Sequence, residues 1–145
     1  SEEQIQKYIH RISGPLLDRI DIHIEVESVK YQKLESDTNS EPSSAIRKRV
    51  NMARNIQLDR YKEYNIFSNS ELTPNLISKY CKLSNSSKKI LETAFNTLGL
   101  SARAYSRILK VARTIADLDN STNIETPHLA EAIQYRSLDR KYWSK

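Results

Sequence analysis

GLSARAYSRILKVARTIADL, residues 99–118, is the stretch that decides the fold of this chain. Its apolar side chains recur at intervals of three and four residues, so a helix would place them on one face. That face carries Tyr105, Ile108, Leu109, Ala112, Ile115 and Ala116. Gly99 can adopt the left-handed conformation that ends a preceding helix, and Ser101 can cap the next one. The stretch therefore predicts an amphipathic helix whose apolar face packs into a core.

Helical patterns of the same kind lie on both sides of this stretch. A helix is expected from a capping Ser43 or Ser44 to about Tyr61, with an apolar face of Ile46, Val50 and Ala53. Three further apolar faces are predicted: Leu76, Ile77 and Tyr80 after Thr73-Pro74; Leu91, Phe95 and Leu98 before Gly99; and Leu129, Ala132 and Ile133 after Thr126-Pro127. This part of the chain is therefore predicted to be a compact helical bundle.

The composition supports a mostly α-helical fold. Among 145 residues there are only two glycines, Gly14 and Gly99, and four prolines, so the tight turns of all-β folds are scarce. The net charge of +5 allows a polyanion such as nucleic acid as a partner. Cys81 is the single cysteine, which excludes an intramolecular disulfide and suits a reducing compartment. No apolar run approaches the length of a membrane span, so a cytoplasmic protein is expected.

The N-terminal part has a different pattern. A short helix is predicted to end at Ser13-Gly14-Pro15, and residues 20–26 alternate strictly between apolar and polar types, as a half-buried strand does. A lone strand needs hydrogen-bonding partners from a sheet. Together with the absence of an initiator Met, this leads us to expect an excised piece of a larger protein. Residues 32–44 are polar and are predicted to form a linker.

Several classes of active site find no support in the sequence. A phosphate-binding loop of the GxxxxGK[ST] type is excluded, because the two glycines lie at positions 14 and 99. His10, His23 and His128 lie on unrelated elements without further ligands at metal-binding spacing, so no metal site is expected. No serine lies on a glycine-flanked elbow. ATP hydrolysis by this chain alone is therefore not expected.

Two passages together resemble a known family. They are YIHRISGPLLDRIDIHIEV, residues 8–26, and the opening stretch, residues 99–118. The pair resembles the C-terminal part of the magnesium-chelatase-like AAA+ ATPases, in particular their ComM-like group. The resemblance implies that residues 1–30 are the helix, finger loop and strand at the end of an AAA+ α/β core. It further implies a linker over residues 31–42 and a helical lid over residues 43–145.

In this family the Leu-Leu-Asp-Arg-Ile-Asp stretch carries an arginine that reaches a neighbouring subunit's ATP. The resemblance thus assigns Arg19 as an arginine finger, a planar cation able to stabilise charge on a γ-phosphate. The alternative is a surface ion pair between Arg19 and Asp18 or Asp21. Arg11 lies in the same passage and could support the finger loop.

The second passage resembles the helix that carries the nucleotide-sensing arginine called sensor 2, which corresponds to Arg103. Such a residue would lie in the first turn of its helix, where the free N–H groups and the helix dipole favour an anion. Arg107 is a possible supporting residue. The alternative is that Arg103, Arg107 and Lys110 form only the solvated side of an amphipathic helix.

The resemblance also implies the cofactors and partners of the whole protein. These are ATP and Mg²⁺ between core and lid, and neighbouring copies of the same protein in a closed ring, expected to be a hexamer. DNA is the expected substrate of the motor, and two groups of cations and aromatics could contact it. These candidates are Arg47, Lys48, Arg49, Arg54, Arg136, Arg140, Lys141, Tyr142 and Trp143. The alternative is that these residues are ordinary surface charge and packing aromatics. The alternatives are a chelatase subunit for metal insertion into a porphyrin, and a stand-alone helical module that binds nucleic acid or a protein.

Overall fold

The computed structural model describes residues 16, 19–26 and 40–136. The described residues form five α-helices and one 3-10 turn: α1 (Ser43–Tyr61), the 3-10 turn (Asn69–Glu71), α2 (Pro74–Tyr80), α3 (Asn85–Leu98), α4 (Ala102–Leu118) and α5 (Thr126–Gln134). The mostly helical fold is therefore confirmed. The predicted N-terminal helix, Arg11, and the tail residues Arg140, Lys141, Tyr142 and Trp143 lie outside the described residues. The division into segments 1–30, 31–42 and 43–145 stays a prediction.

Helix α4 is the centre of the core, and it packs mainly against α5 and α1. Four of the six predicted face residues are buried, namely Ile108, Leu109, Ala112 and Ala116. Ile115 is half-buried, and Tyr105 is 43% exposed. Tyr105 lies in the first turn, where α4 borders a surface pocket beside Phe95 and Leu83 rather than a covering helix. The periodicity thus predicted the packed face correctly except at its N-terminal edge.

The ends of α3 and α4 follow the predicted capping chemistry. Gly99 has φ +62° and ψ +39°, the left-handed conformation that ends α3, and its N–H bonds to the carbonyl of Phe95. Ser101 caps α4, because its Oγ accepts a hydrogen bond of 3.1 Å from the N–H of Ala104. These caps bound α4 at its start, so they also determine where Arg103 lies.

Helix α1 ends at Tyr61 as predicted, but its start and its buried face differ from the prediction. The N-cap is Pro42 without a side-chain cap bond, so Ser43 is already helical. The buried residues are Ala53, Gln57 and Tyr61, whereas Ile46 and Val50 are 44% and 45% exposed. The N-terminal half of α1 stands away from α4 and leaves a groove that Ile46, Val50, Ile115 and Leu118 line.

The two predicted Thr-Pro helix starts have different outcomes. Thr73 is the N-cap of α2 with Pro74 as the first helical residue, as predicted. At α5 the N-cap is Glu125 instead of Thr126, because His128 completes a capping box with Glu125. The backbone N–H of Glu125 donates to Nδ1 of His128 at 3.0 Å. Leu129 and Ala132 are buried as predicted.

The strand predicted over residues 20–26 is not formed in the described structure. No described residue of this segment belongs to a strand, and Ile22, Ile24 and Val26 are 46%, 66% and 85% exposed. A strand requires ladder hydrogen bonds to a neighbour, and the described residues present no second strand beside it. The segment is instead held against the helical bundle by contacts at residues 20, 21 and 23.

Candidate functional site

Arg19 lies on a turn with an exposed side chain. The turn is closed by a 3.0 Å hydrogen bond from the N–H of Arg19 to the carbonyl of Leu16. Asp21, one of the two carboxylates considered as a surface partner for Arg19, is instead paired with Arg107. The exposed position leaves the Arg19 guanidinium accessible to an anion.

Arg103 also has an exposed position, in the first turn of α4. The helix begins at Ala102, so Arg103 lies among the N–H groups that have no acceptor within the helix. The helix dipole adds a partial positive charge at the same end. The structure therefore places Arg103 where the sequence predicted it, at an end of α4 suited to an anion.

An ion pair joins the segment that carries Arg19 to the helix that carries Arg103. The guanidinium of Arg107 donates to the carboxylate of Asp21, and the two side chains are 29% and 51% exposed. Asp21 follows Arg19 by two positions, and Arg107 follows Arg103 by one helical turn. Arg107 is thus not merely part of a solvated helix face, which was the alternative interpretation of this residue.

The same segment is also attached to the C-terminal end of α5. The N–H of His23 donates to the carbonyl of Tyr135 at 2.9 Å. Nη1 of Arg136 donates to the carbonyl of Ile20 at 2.5 Å. Arg136 is only 1% exposed. Arg136, one of the candidate DNA contacts, is therefore buried against the N-terminal segment instead of lying on the surface.

The predicted basic cluster on α1 is exposed, but its members are not equivalent. Arg47, Lys48 and Arg54 lie on the surface. Arg49 forms a bidentate ion pair with Glu41, in which Nη2 lies 3.0 Å from Oε2. The hydrogen bond to Glu41 raises the pKa of Arg49. Arg49 is consequently a weaker candidate for phosphate contact than the other three cations.

A buried polar network at the C-terminal end of α4 was not predicted. Asp117 is fully buried and accepts hydrogen bonds from Arg60 at 2.5 and 2.9 Å and from Nε of Arg113 at 3.1 Å. Asn69 donates to the same carboxylate at 2.9 Å. Burial is the largest single effect on the pKa of Arg60 and lowers it, but the hydrogen bonds and charges of Asp117 and Tyr61 together outweigh burial and raise the pKa.

Arg113 connects this network to the loop after α4. Its Nη1 and Nη2 donate to the carbonyls of Thr122 and Ser121 at 2.9 and 2.6 Å. Burial lowers the pKa of Arg113, yet arginine remains protonated at neutral pH. A helical pattern alone does not reveal such a network, because Arg60, Arg113 and Asn69 come from separate elements. The one signal in the sequence was the spacing of four residues between Arg113 and Asp117, which places them on the same face of a helix.

Other reactive groups in the described structure are few. Among the described residues, no group of three or more His, Cys, Asp or Glu side chains could hold a metal ion. Burial raises the pKa of the Cys81 thiol to about 11. None of the helices in the described ranges is sufficiently long and apolar to cross a bilayer.

Comparison with known proteins identifies the family. The model of the magnesium chelatase subunit ChlI C-terminal family matches residues 40–136, and the model of magnesium chelatase subunit ChlI matches residues 1–34. The first match covers the whole described helical bundle. The second covers the segment that carries Arg19.

Individual relatives agree with the family models. Competence protein ComM of Haemophilus influenzae is 45% identical over 97% of this chain and 27% of its own length. Protein YifB of Escherichia coli, which is uncharacterised, is 41% identical over 95% of this chain and 27% of its own length. An uncharacterised Mycobacterium tuberculosis protein is 30% identical over 90% of this chain and 26% of its own length. The chain thus spans about a quarter of the length of these relatives, and it belongs to the magnesium-chelatase-like family, in its ComM-like group.

Proposed function

We propose that this chain is the C-terminal part of an AAA+ ATPase and contributes two arginines to an ATP site. Arg19 is the arginine finger and Arg103 is the nucleotide-sensing arginine. Both side chains are exposed, and neither is drawn into the buried network around Asp117. The rest of the ATP site, including the loop that holds the phosphates, would come from other parts of the protein.

The fit of ATP to these residues rests on charge and on helix geometry. The guanidinium of Arg103 and the N–H groups that open α4 are suited to phosphate oxygens. The described carboxylates do not gather at this end of α4 in a group that could hold a cation. Mg²⁺ would therefore be held by residues elsewhere in the protein, and the bound Mg²⁺–ATP would supply the phosphoryl group.

The observation that carries the proposal is the ion pair between Asp21 and Arg107. It holds the turn of Arg19 beside the helix of Arg103, although the two arginines are far apart in sequence. A finger must be positioned closely to stabilise charge that develops on a phosphate, because a small misplacement is costly in rate. The ion pair would then set the position of the finger turn relative to the helix that carries Arg103.

A ring of identical subunits is part of the proposal. An exposed finger can reach an ATP held by a neighbouring copy, and a head-to-tail contact of this kind closes into a ring. We propose a hexamer, in which each subunit completes the ATP site of its neighbour. Arg107 is then a positioning residue, because its contact is with Asp21 rather than with nucleotide.

DNA is the proposed substrate of this motor, with branch migration as the form of remodelling. The relative from Haemophilus influenzae bears the name of a competence protein. The chain has a net charge of +5, and Arg47, Lys48 and Arg54 are exposed along α1. Exposed cations of this kind neutralise backbone phosphates. The second candidate, metal insertion into a porphyrin, is favoured by the family description as a magnesium chelatase subunit.

The test of the ATP-site proposal uses the full-length protein with Arg19→Ala and, as a matched control, Arg54→Ala. Loss of a finger is expected to reduce ATP turnover by about 10³–10⁵-fold while ATP binding is retained. Arg54 is also an exposed arginine, on α1, so its removal should leave DNA-free turnover within about twofold of the wild type. Normal turnover in Arg19→Ala would refute the finger assignment.

Arg103→Ala tests the second arginine separately. It should weaken the response of the protein to nucleotide, seen as reduced ATP-dependent branch migration of a four-way DNA junction. Because Arg103 is exposed, the substitution should not lower the melting temperature. A wild-type rate of branch migration in this variant would contradict the assignment of Arg103 as a nucleotide-sensing residue.

A further inference from the structure

A second basic surface lies at the opposite end of α4 from Arg103. It is a cleft of about 460 Å³ between the end of α1, the end of α2 and the loop after α4. Its cations are Arg60, Lys79, Lys82 and Arg113, whereas Asp59 is the carboxylate that lines it. The 17-residue helix α4 spans about 25 Å, so this cleft is well separated from the proposed ATP-binding end.

Some of the charges that face the cleft are balanced by ion pairs within the protein, and others are not. Arg60 and Arg113 share the buried carboxylate of Asp117, and together these three groups retain one positive charge. The lining carboxylate of Asp59 is paired with Lys62 at 3.3 Å. Lys79 and Lys82, both exposed, add two further positive charges. The cleft therefore presents a net positive field to solvent, supported by a rigid buried network.

Neutral hydrogen-bonding groups and an aromatic ring also line the cleft. Asn120, Thr122 and Asn123 line the cleft from the loop after α4. The hydrogen bonds from Arg113 to the carbonyls of Thr122 and Ser121 hold this loop in place. The Tyr80 ring lines the cleft and is nearly perpendicular to the Tyr61 ring, with 5.3 Å between the ring centroids. The Lys79 ammonium lies 5.2 Å from the centroid of the same Tyr80 ring.

We propose that this cleft binds a single strand of nucleic acid, with Lys79 and Lys82 on backbone phosphates and a base against Tyr80. Cations beside an aromatic ring, with amides and hydroxyls around them, are the chemistry by which unpaired nucleotides are bound. The cleft has the volume of a small-molecule site, so it admits about one or two nucleotides rather than a duplex. The proposal builds on the DNA substrate proposed above, but it does not depend on the roles of Arg19 and Arg103.

The cleft also has a mechanical consequence for a motor. It lies on the same helix as Arg103, so a movement of α4 that follows the state of ATP would move the bound strand as well. The buried network of Arg60, Asp117 and Arg113 would transmit this movement, because it ties the cleft loop to α4 by hydrogen bonds.

The test measures binding of a short fluorescein-labelled oligodeoxythymidine to the full-length protein without ATP, by anisotropy over a range of salt concentrations. The variant Lys79→Gln/Lys82→Gln is expected to bind at least tenfold more weakly. Its slope of log affinity against log salt should be shallower by about 1.4, the contribution of two phosphate contacts to a single strand. The matched control Lys88→Gln/Lys89→Gln removes two exposed charges from α3 and should retain the wild-type slope.

A second pair of variants tests the aromatic contact. Tyr80→Phe keeps the ring and should retain wild-type affinity, whereas Tyr80→Leu should weaken binding about tenfold. The melting temperature of Tyr80→Leu identifies any loss that comes from unfolding. Equal affinities for Phe and Leu would overturn the stacking contact.

Three outcomes would overturn the proposed cleft while leaving the ATP site intact. These are wild-type affinity in Lys79→Gln/Lys82→Gln, an equal loss in the α3 control, or displacement of the oligonucleotide by inorganic polyphosphate at the same phosphate concentration. Failure of the wild-type protein to bind DNA at low salt would instead overturn the proposed DNA substrate. DNA-free ATP turnover should be unchanged in the double lysine variant, which keeps the two failures distinguishable.

Discussion

Asp21 and Arg107 form an ion pair although 86 positions of sequence separate them. This contact joins the exposed turn of Arg19 to the helix that opens with Arg103. The remaining contacts of the segment, from His23 to Tyr135 and from Arg136 to Ile20, hold its backbone against α5. The segment therefore has a defined position on the helical bundle, even though it forms no strand in the described structure.

The first prediction concerns this ion pair. Asp21→Asn and Arg107→Gln should each change the free energy of unfolding by less than about 1 kcal/mol, because the pair is partly exposed. Each should nevertheless reduce ATP turnover by the full-length protein about tenfold, since the finger turn is then less well positioned. Steady-state turnover and urea denaturation measure the two effects.

The charge-exchanged protein Asp21→Arg/Arg107→Asp is the control for this prediction. It restores an ion pair of opposite polarity and should recover most of the turnover lost in the single variants. If the exchanged protein is as slow as the single variants, the pair does not act by positioning the turn.

The second prediction concerns the buried carboxylate of Asp117. Asp117→Asn leaves Arg113 and Arg60 without a counter-charge in a buried setting, so the bundle should lose about 3–5 kcal/mol of stability. Asp119→Asn is the matched control, because its side chain is 73% exposed and its contact is with His128. This control should cost less than about 1 kcal/mol. Similar denaturation midpoints for the two variants would contradict the structural role of the network.

The third prediction concerns Gly99, whose φ of +62° places it in the left-handed region. A Cβ at this position would meet no atom within 4 Å, so the cost of Gly99→Ala is conformational rather than steric. It should be about 1 kcal/mol. Gly99→Asn should cost less, because Asn tolerates this conformation better. Thermal melts of both variants provide the measurement, and an Asn variant less stable than the Ala variant would contradict it.

The fourth prediction concerns the thiol of Cys81. Its pKa is raised by burial from 9.0 to about 11, so at pH 8 the thiolate fraction is about 100-fold smaller than for an unperturbed thiol. Alkylation by iodoacetamide in the folded protein should be slower by at least this factor than in urea. Because the folded pKa is the higher one, stability from this group is complete below pH 9 and declines as pH rises toward 11. Rapid alkylation of the folded protein at pH 8 would contradict the burial of Cys81.

Local chemistry was sufficient to predict much of the helical bundle. Gly99, Ser101 and Thr73-Pro74 act through their own backbone geometry and nearest neighbours, so their roles at helix ends could be predicted from sequence. The recurrence of apolar residues every three or four positions likewise identified four buried residues of α4, namely Ile108, Leu109, Ala112 and Ala116. It could not show that Ile46 and Val50 lie beside a groove, because that depends on how closely α1 approaches α4.

The candidate site divides in the same way. Arg19 and Arg103 could be named from two motifs, and the structure places both on the surface. The positions of Arg107 and Arg136 could not be predicted, because each bonds to a residue that is distant in sequence. The basic cleft of Lys79 and Lys82 was also missed, since its members come from three separate elements and form no periodic pattern.

The sequence by itself determined the helical character of this protein, the caps that place Arg103 at the start of α4, and the family to which it belongs. These features depend on side-chain spacing and backbone preference, which act over a few residues. Only the tertiary structure decided that Asp21 meets Arg107, that Arg136 is buried, and that Asp117 gathers two arginines. Each of these results from packing distant elements together. For the buried groups Asp117 and Arg136, burial also makes an unpaired charge costly and so selects the partner.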